Sequence, residues 1–356
     1  MSATRVAASM EGSAMTEMLE QQVSDASAWV GADLQNRDDL IYRLSDREIA
    51  ELDAALRSVQ ERGLDVYKVT RDDFVLPEFG KTLAGMLGEL NHGRGFLLIH
   101  GFPRQRYSEE DCGIVHWGIG THFGKAVSQN ARGDLLGHVR DTGMDIMDPH
   151  VRGYQTRIGL PYHSDGSDVV GLFCLQDASS GGESTVLSSV TVHNRFLERR
   201  PDLLEVLYQP FAFDRREEVA KGQKPYYSVP VYTYYDGLLS CRYIRGYVQS
   251  AQRFPEVPRL TSKQNEAFAL MDEIIAGHDM PIRIRLQPGD MEYANNYTVL
   301  HARSAFEDWP EPQRKRHLLR LWLTVYGGRK LPSDIGGPPA VDGFGRGGIT
   351  PSQRYA

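Results

Sequence analysis

The sequence predicts a mainly β domain with flanking helices (α+β), built around a jelly-roll-like core. Three observations carry that expectation. Short runs of β-forming residues recur after residue 135, turn signals separate them, and the helical segments interrupt the series instead of alternating strictly with strands. A chain of 356 residues with 41% hydrophobic and 24% charged side chains has the make-up of a globular protein and is long enough to bury such a core.

Residues 1–40 show no sustained periodicity and are rich in Ala, Ser, Asp and Gln, which predicts a flexible N-terminal segment. Ser45 and Glu48 have the spacing of a capping box, with Leu44 and Ile49 placed as a hydrophobic staple. Ile49, Leu52, Leu56 and Val59 form one helical face, and Gly63 ends it. A helix over 82–91 leads into an apolar strand at 96–101, and another helix covers 108–121. β-type runs follow at 168–176, 184–189, 227–235 and 238–243, the last two joined by the hairpin pair Asp236-Gly237. Ile282, Ile284 and Leu286 alternate with Arg283 and Arg285 before the turn Pro288-Gly289-Asp290. Strands are expected again at 298–301 and 316–325, and helices at 190–208 and 261–276, the latter with a Thr261/Gln264 capping box. One domain is therefore expected over 41–330. A Gly/Pro-rich tail over 331–356 is expected to be irregular, with Gly347-Gly348-Ile349 still apolar enough to pack.

Composition excludes several function classes. A net charge of −7 supplies no basic field for nucleic acid or anionic lipid, so an anionic ligand would need a local cationic pocket. Cys112, Cys174 and Cys241 are odd in number and form no CxxC pair, against a disulfide framework or a thiolate zinc site. No apolar run approaches the roughly 18–20 residues that span a bilayer, and Glu11 and Glu17 interrupt any secretory leader. The expected setting is the cytoplasm, the expected partner a small molecule, and a homo-oligomer is left open.

Of the 11 histidines, only His163 is followed two residues later by an acid, in His163-Ser164-Asp165. On extended chain, residues i and i+2 share a side, so both groups can converge on one ion. His301, ending the apolar stretch Tyr297, Val299, Leu300, is the best third ligand. Two imidazoles and one carboxylate on one face of a metal leave positions open, as in non-haem iron oxygenases. Taken alone, such a triplet often arises by chance, and a histidine near an apolar strand is usually a packed, hydrogen-bonded side chain.

The strand at 316–325 puts Leu319, Leu321 and Leu323 on one face and Arg316, Leu318, Arg320 and Trp322 on the other. Two arginines on an otherwise apolar strand are costly to bury unless each meets an anion, and guanidinium grips a carboxylate with two parallel hydrogen bonds. The alternatives are pairing with a structural acid, Asp290 or Glu292 for Arg320, or a solvated face continuing Arg314-Lys315-Arg316.

These pieces together resemble the taurine/2,4-dichlorophenoxyacetate dioxygenase family, in its clavaminate-synthase-like branch. The matching elements are His163-Ser164-Asp165, Gly181-Gly182-Glu183-Ser184-Thr185, His301, and Arg316 to Arg320, spread over roughly residues 90–330. The resemblance implies a double-stranded β-helix, a cupin-like jelly roll, with Fe(II) held by His163, Asp165 and His301. It implies that Arg316, assisted by Ser184, grips the distal carboxylate of 2-oxoglutarate, and that O2 is the second co-substrate. Arg320 would meet an acidic group of the substrate. The spacing from His301 to Arg316 is longer than in taurine dioxygenase itself. The reaction implied is oxidation of a small, anionic organic molecule such as an amino acid or carboxylate, as hydroxylation or diverted to cyclisation, desaturation or cleavage. Gln129, Asn130, Tyr154 and Thr156 precede the triplet, and of these Asn130 and Tyr154 are taken as substrate contacts. The charged stretch 214–224 reads as a lid or a solvated connection. Two other classes compete: a jelly-roll isomerase or hydrolase with another divalent metal, which needs no carboxylate-gripping Arg316, and a non-catalytic binding protein, which needs no complete triad.

Overall fold

The computed structural model describes residues 17–146, 151–332 and 346–351. Two main sheets organise it. Their strands are β1 (Ile41–Arg43), β2 (Phe96–His100), β3 (Gly124–Ala126), β4 (Leu136–Val139), β5 (Leu160–His163), β6 (Val169–Gln176), β7 (Ser184–Ser188), β8 (Ile282–Ile284), β9 (Met291–Asn295), β10 (Val299–Arg303) and β11 (His317–Val325). The larger sheet has seven strands in the order β1-β2-β9-β6-β11-β3, with β4 also paired to β11; the smaller has the order β8-β7-β10-β5. Only the β1–β2 pairing is parallel; the other pairings are antiparallel.

Period-two alternation assigns each side chain of the central strands to a layer. Val169, Phe173 and Leu175 of β6, with Leu319, Leu321 and Leu323 of β11, face a core shared with helices α1 (Asp46–Glu61), α2 (Phe79–His92) and α3 (Glu109–Phe123). Val170 and Cys174, with Leu318 and Trp322, face the other way, into a core closed by Val186, Ile282, Ile284 and Val299 of the smaller sheet. Outside the smaller sheet lie α4 (Ser189–Arg199), α5 (Pro201–Leu207) and α6 (Ser262–Ile275) with the hairpins 210–230 and 232–241. The space between the sheets is thus where β11 presents its arginines.

The capping boxes at Ser45 and Thr261 form as expected, since each hydroxyl and its partner three residues on satisfy two orphan backbone donors. Asp236 and Gly237 adopt φ of 52° and 78°, the left-handed pair of a tight hairpin. Three expectations need correction. The stretch 190–208 is two helices, because Pro201 forces Arg200 out of the helical region, to φ −152°. The stretch 227–235 is two strands, Tyr226–Pro230 and Tyr232–Tyr235, pairing with different partners. The N-terminal segment, expected to be flexible, is anchored over 17–40: Trp29 is buried and donates to Arg94 O at 2.8 Å, while Ser188 and Thr191 donate to Ser27 O and Trp29 O at 2.6 and 2.7 Å. Residues 1–16 of that segment lie outside the described residues.

In the tail, 346–351 packs against the domain through Ile349 N to Ser128 O and an antiparallel bridge between Ser167 and Gly347. The rest of the tail beyond 332 lies outside the described residues. Gly171, in the middle of β6, gives a stability test. A Cβ there would stand 2.5 Å from the Tyr293 ring, which is fully buried and bonded to His116. Gly171→Ala is expected to lower unfolding free energy by about 1–3 kcal/mol, read as a lower urea midpoint; an unchanged midpoint contradicts the packing described.

Candidate active site

β5 and β10 are neighbours in the smaller sheet, and their register pairs His163 with His301. The two rings face each other with centroids 4.3 Å apart. Asp165, two residues beyond His163, turns its carboxylate between them, with Oδ1 3.8 Å from His163 Nε2 and Oδ2 3.7 Å from His301 Nε2. One ligand atom from each residue lies within 4.8 Å of the other two. The three groups suit a divalent transition metal, since imidazole and carboxylate together fill one face and leave the rest open.

Their surroundings prepare them for that task. His163 Nδ1 donates to Pro161 O at 2.8 Å, which leaves the lone pair on Nε2, the nitrogen facing Asp165. Burial and the neighbouring His301 push the His163 imidazole down to about 4, so it is a neutral donor near pH 7. Burial opposes ionisation of Asp165, but the neighbouring His301 imidazole and the field of Arg320 outweigh it and hold this carboxyl well below the usual range. Trp322 Nε1 donates to Asp165 Oδ2 at 2.8 Å, and Asp165 N donates to Asn296 Oδ1 at 2.8 Å. Arg242 Nη1 grips Ser164 O and Asp165 O at 2.6 and 2.7 Å, which pins the backbone of the triplet. Arg242 and Asn296 went unrecognised in the sequence; Trp322 was placed on the correct face by alternation, without a role.

A small cavity of 60 Å³ opens beside His301, and Ser184, Arg303, Arg316 and Arg320 line it. Thr185, on the other face of β7, does not. Arg316 is buried, its Nη2 donates to Gly182 O at 3.2 Å, and its Nη1 has no hydrogen-bond partner. Arg303 is a further guanidinium in this cavity. Its Nη2 is held by Thr156 O, whereas Nε and Nη1 are unpartnered, and burial beside Arg316 pushes it down to about 9.

A larger cavity of 710 Å³ begins at His163 and Asp165 and is lined by Tyr154, Arg320, Trp322 and Arg152 among others. Arg320 is held rigidly: its Nε donates to Gln129 Oε1 at 2.6 Å, and its guanidinium lies 4.4 Å from the Tyr154 ring and 5.1 Å from that of Trp322. Among the described residues neither Arg316 nor Arg320 forms an ion pair, so the alternative of Arg320 pairing with Asp290 or Glu292 does not hold. Asp290 instead faces His100 at 3.7 Å. Asn130 also needs correction as a cavity residue. Its amide donates to Asp134 and its carbonyl accepts from Arg132 N, so both ends are spent inside the 130–134 loop. Its neighbour Gln129, not taken as a contact from the sequence, lines the large cavity instead. The charged stretch supplies cavity wall, with Glu218 paired to Arg152 at 2.7 Å, and the tail adds Arg346 and Ile349.

Comparison with known proteins agrees with this arrangement. The sequence profile of the "Taurine catabolism dioxygenase TauD, TfdA family" matches residues 61–322. The chain belongs to that family. It is therefore a non-haem Fe(II)/2-oxoglutarate-dependent oxygenase. It is 33% identical over 330 residues to FR-33289 synthase of Streptomyces rubellomurinus, covering 90% of this chain and 96% of the relative. It is 30% identical over 317 residues to taurine hydroxylase-like protein SAT17 of Stachybotrys chartarum, covering 85% and 80%. The fold matches that of an asparagine oxygenase crystallised with Fe(II), 2S,3S-3-hydroxyasparagine and succinate, at TM-score 0.62 and 14% identity over 80% of this chain and 93% of that one. The jelly-roll expectation is met by this family's fold.

The indole bond to Asp165 sets a test of the site. Trp322→Phe keeps the ring packing and removes the donor, and outer partners of metal ligands typically contribute about 10–100-fold in affinity. Equilibrium titration of the metal-free variant with Fe(II) under anaerobic conditions is expected to show weakening on that scale with an unchanged circular dichroism spectrum; unchanged affinity removes Trp322 from the site.

Proposed function

We propose that this oxygenase oxidises a C–H bond of a small anionic molecule, with Fe(II) held by His163, Asp165 and His301. Arg316, assisted by Ser184, grips the distal carboxylate of 2-oxoglutarate, and Arg320 grips the anion of the substrate. When bound, the iron and 2-oxoglutarate activate O2, so that R–H, O2 and 2-oxoglutarate give R–OH, succinate and CO2. The protein's part is positional. The triad presents one face of donors, Arg316 and Arg320 fix the two organic partners, and the walls around them exclude bulk water.

One observation carries the assignment: two buried guanidinium groups, Arg316 just before β11 and Arg320 within it, line one cavity with no ion-pair partner among the described residues. Four residues of strand separate their Cα atoms by about 13 Å, too far for one compact carboxylate to engage both heads well. Arg316 lines only the small cavity, while Arg320 also lines the large one. Arginine stacked on Tyr154 and oriented by Gln129 is a fixed anion receptor. The relatives' names fit: taurine carries a sulfonate, and hydroxyasparagine an α-carboxylate.

Three measurements test the roles. His163→Ala, Asp165→Ala and His301→Ala are each expected to abolish succinate formation and iron binding without unfolding, whereas replacing the exposed His278 leaves both intact. Arg316→Leu is expected to weaken 2-oxoglutarate binding, measured by calorimetry on the iron-loaded protein without oxygen, by about 2–5 kcal/mol, with iron affinity retained. Arg320→Leu is expected to spare 2-oxoglutarate binding and uncoupled succinate release while cutting kcat/KM for the substrate. Equal losses of co-substrate and substrate binding in the Arg320 variant contradict the division of labour.

A further inference from the structure

A second gathering of metal-ligating side chains lies away from both cavities. Glu109 opens α3, His138 sits on β4 and His317 begins β11. His138 Nδ1 is 2.9 Å from His317 Nε2 and 3.6 Å from Glu109 Oε1, and His317 Nδ1 is 3.6 Å from Glu109 Oε2. One donor atom from each of the three lies within 4.8 Å of the others, the same closeness that His163, Asp165 and His301 reach. Alternation along β11 turns His317 away from Arg316 and Leu318, and none of the three residues lines either cavity.

A hydrogen bond between two neutral imidazoles explains the 2.9 Å contact and nothing more. It leaves the Glu109 carboxylate facing both rings at 3.6 Å, beyond hydrogen-bond length. An ion taking one atom from each residue would use all three groups. Donor atoms bound at about 2.0–2.2 Å to one ion stand roughly 3–3.5 Å apart, and His138 Nδ1 lies near that range from both neighbours, 2.9 Å from His317 Nε2 and 3.6 Å from Glu109 Oε1. Two nitrogen donors favour an ion that binds imidazole strongly. The side chains of His138 and Glu109 are 43% and 51% exposed, so water can enter and complete the coordination shell.

We propose that Glu109, His138 and His317 bind a late first-row divalent ion of the Zn²⁺ type, at a site distinct from the iron centre. The ion ties the first turn of α3 to β4 and β11, the strand whose opposite face carries Arg316 and Arg320. The inference stands independently of the substrate assigned above.

Zn²⁺ titration of the full chain, stripped of metal by chelation and followed by a competing colorimetric chelator, tests it. Wild-type protein is expected to take up two equivalents, one for each cluster. His138→Ala and His163→Ala are each expected to take up one, and the double variant none. Zn²⁺ should raise the Tm of metal-free His163→Ala and leave that of the double variant unmoved. Glu109→Gln provides a second, surface-exposed variant that should weaken the same equivalent. A single equivalent in wild type, or a second equivalent that survives both His138→Ala and Glu109→Gln, overturns the proposal.

Discussion

Charge held between two apolar β-sheets, with no ion-pair partner among the described residues, is the constraint on which the rest of this structure turns. A guanidinium in such a place is strongly disfavoured unless an anion meets it. β11 and the residue that precedes it place two there, four residues apart, and the protein invests further structure in fixing them. Gln129 and two aromatic faces orient Arg320, and Gly182 O with the Phe306 ring positions Arg316. Neither is neutralised by a neighbouring acid among the described residues. Burial raises the carboxyl of Glu292, on the same inner face, above its usual range, despite Ser184 and the fields of His301 and Arg316. The cavity region thus carries two guanidinium groups without an ion-pair partner among the described residues, beside the cluster of His163, Asp165 and His301.

The triad depends on pairings far apart in sequence. His163 and His301 meet because β5 and β10 are adjacent, and Asp165 keeps its direction because Trp322, Asn296 and Arg242 hold its side chain and backbone. Residues of four separate segments therefore specify one carboxylate. The anchored segment 17–40 braces the smaller sheet through Ser188, and the stretch 346–351 packs beside Asp165 through Gly348 N to Gly166 O.

Much of this was legible in the residues. Alternation in β11 assigned Arg316, Leu318, Arg320 and Trp322 to one face, because a period of two survives any uncertainty in strand ends. The spacing of His163 and Asp165, and the apolar run before His301, singled out three groups that the fold brings together, for a similar reason: local backbone geometry alone brings i and i+2 together. What stayed hidden depended on tertiary context. Arg242 and Arg303 are ordinary arginines until the fold buries them. Asn130 looked like a ligand contact, yet its amide closes its own loop, while its neighbour Gln129 reaches the site. Trp29 is one buried anchor in a polar stretch whose composition reads as unstructured.

The central claim is that His163, Asp165 and His301 form an iron site able to hold a 2-oxo acid in direct contact with the metal. Visible absorption spectroscopy under strict exclusion of oxygen tests it most directly, because a 2-oxo acid chelating Fe(II) produces a weak metal-to-ligand charge-transfer band. Adding 2-oxoglutarate to the Fe(II)-loaded chain is predicted to generate that band with saturable dependence on 2-oxoglutarate, and Asp165→Ala is predicted to lose it. A wild-type protein that binds Fe(II) and 2-oxoglutarate yet shows no band, or an Asp165→Ala variant that shows it undiminished, would contradict the account.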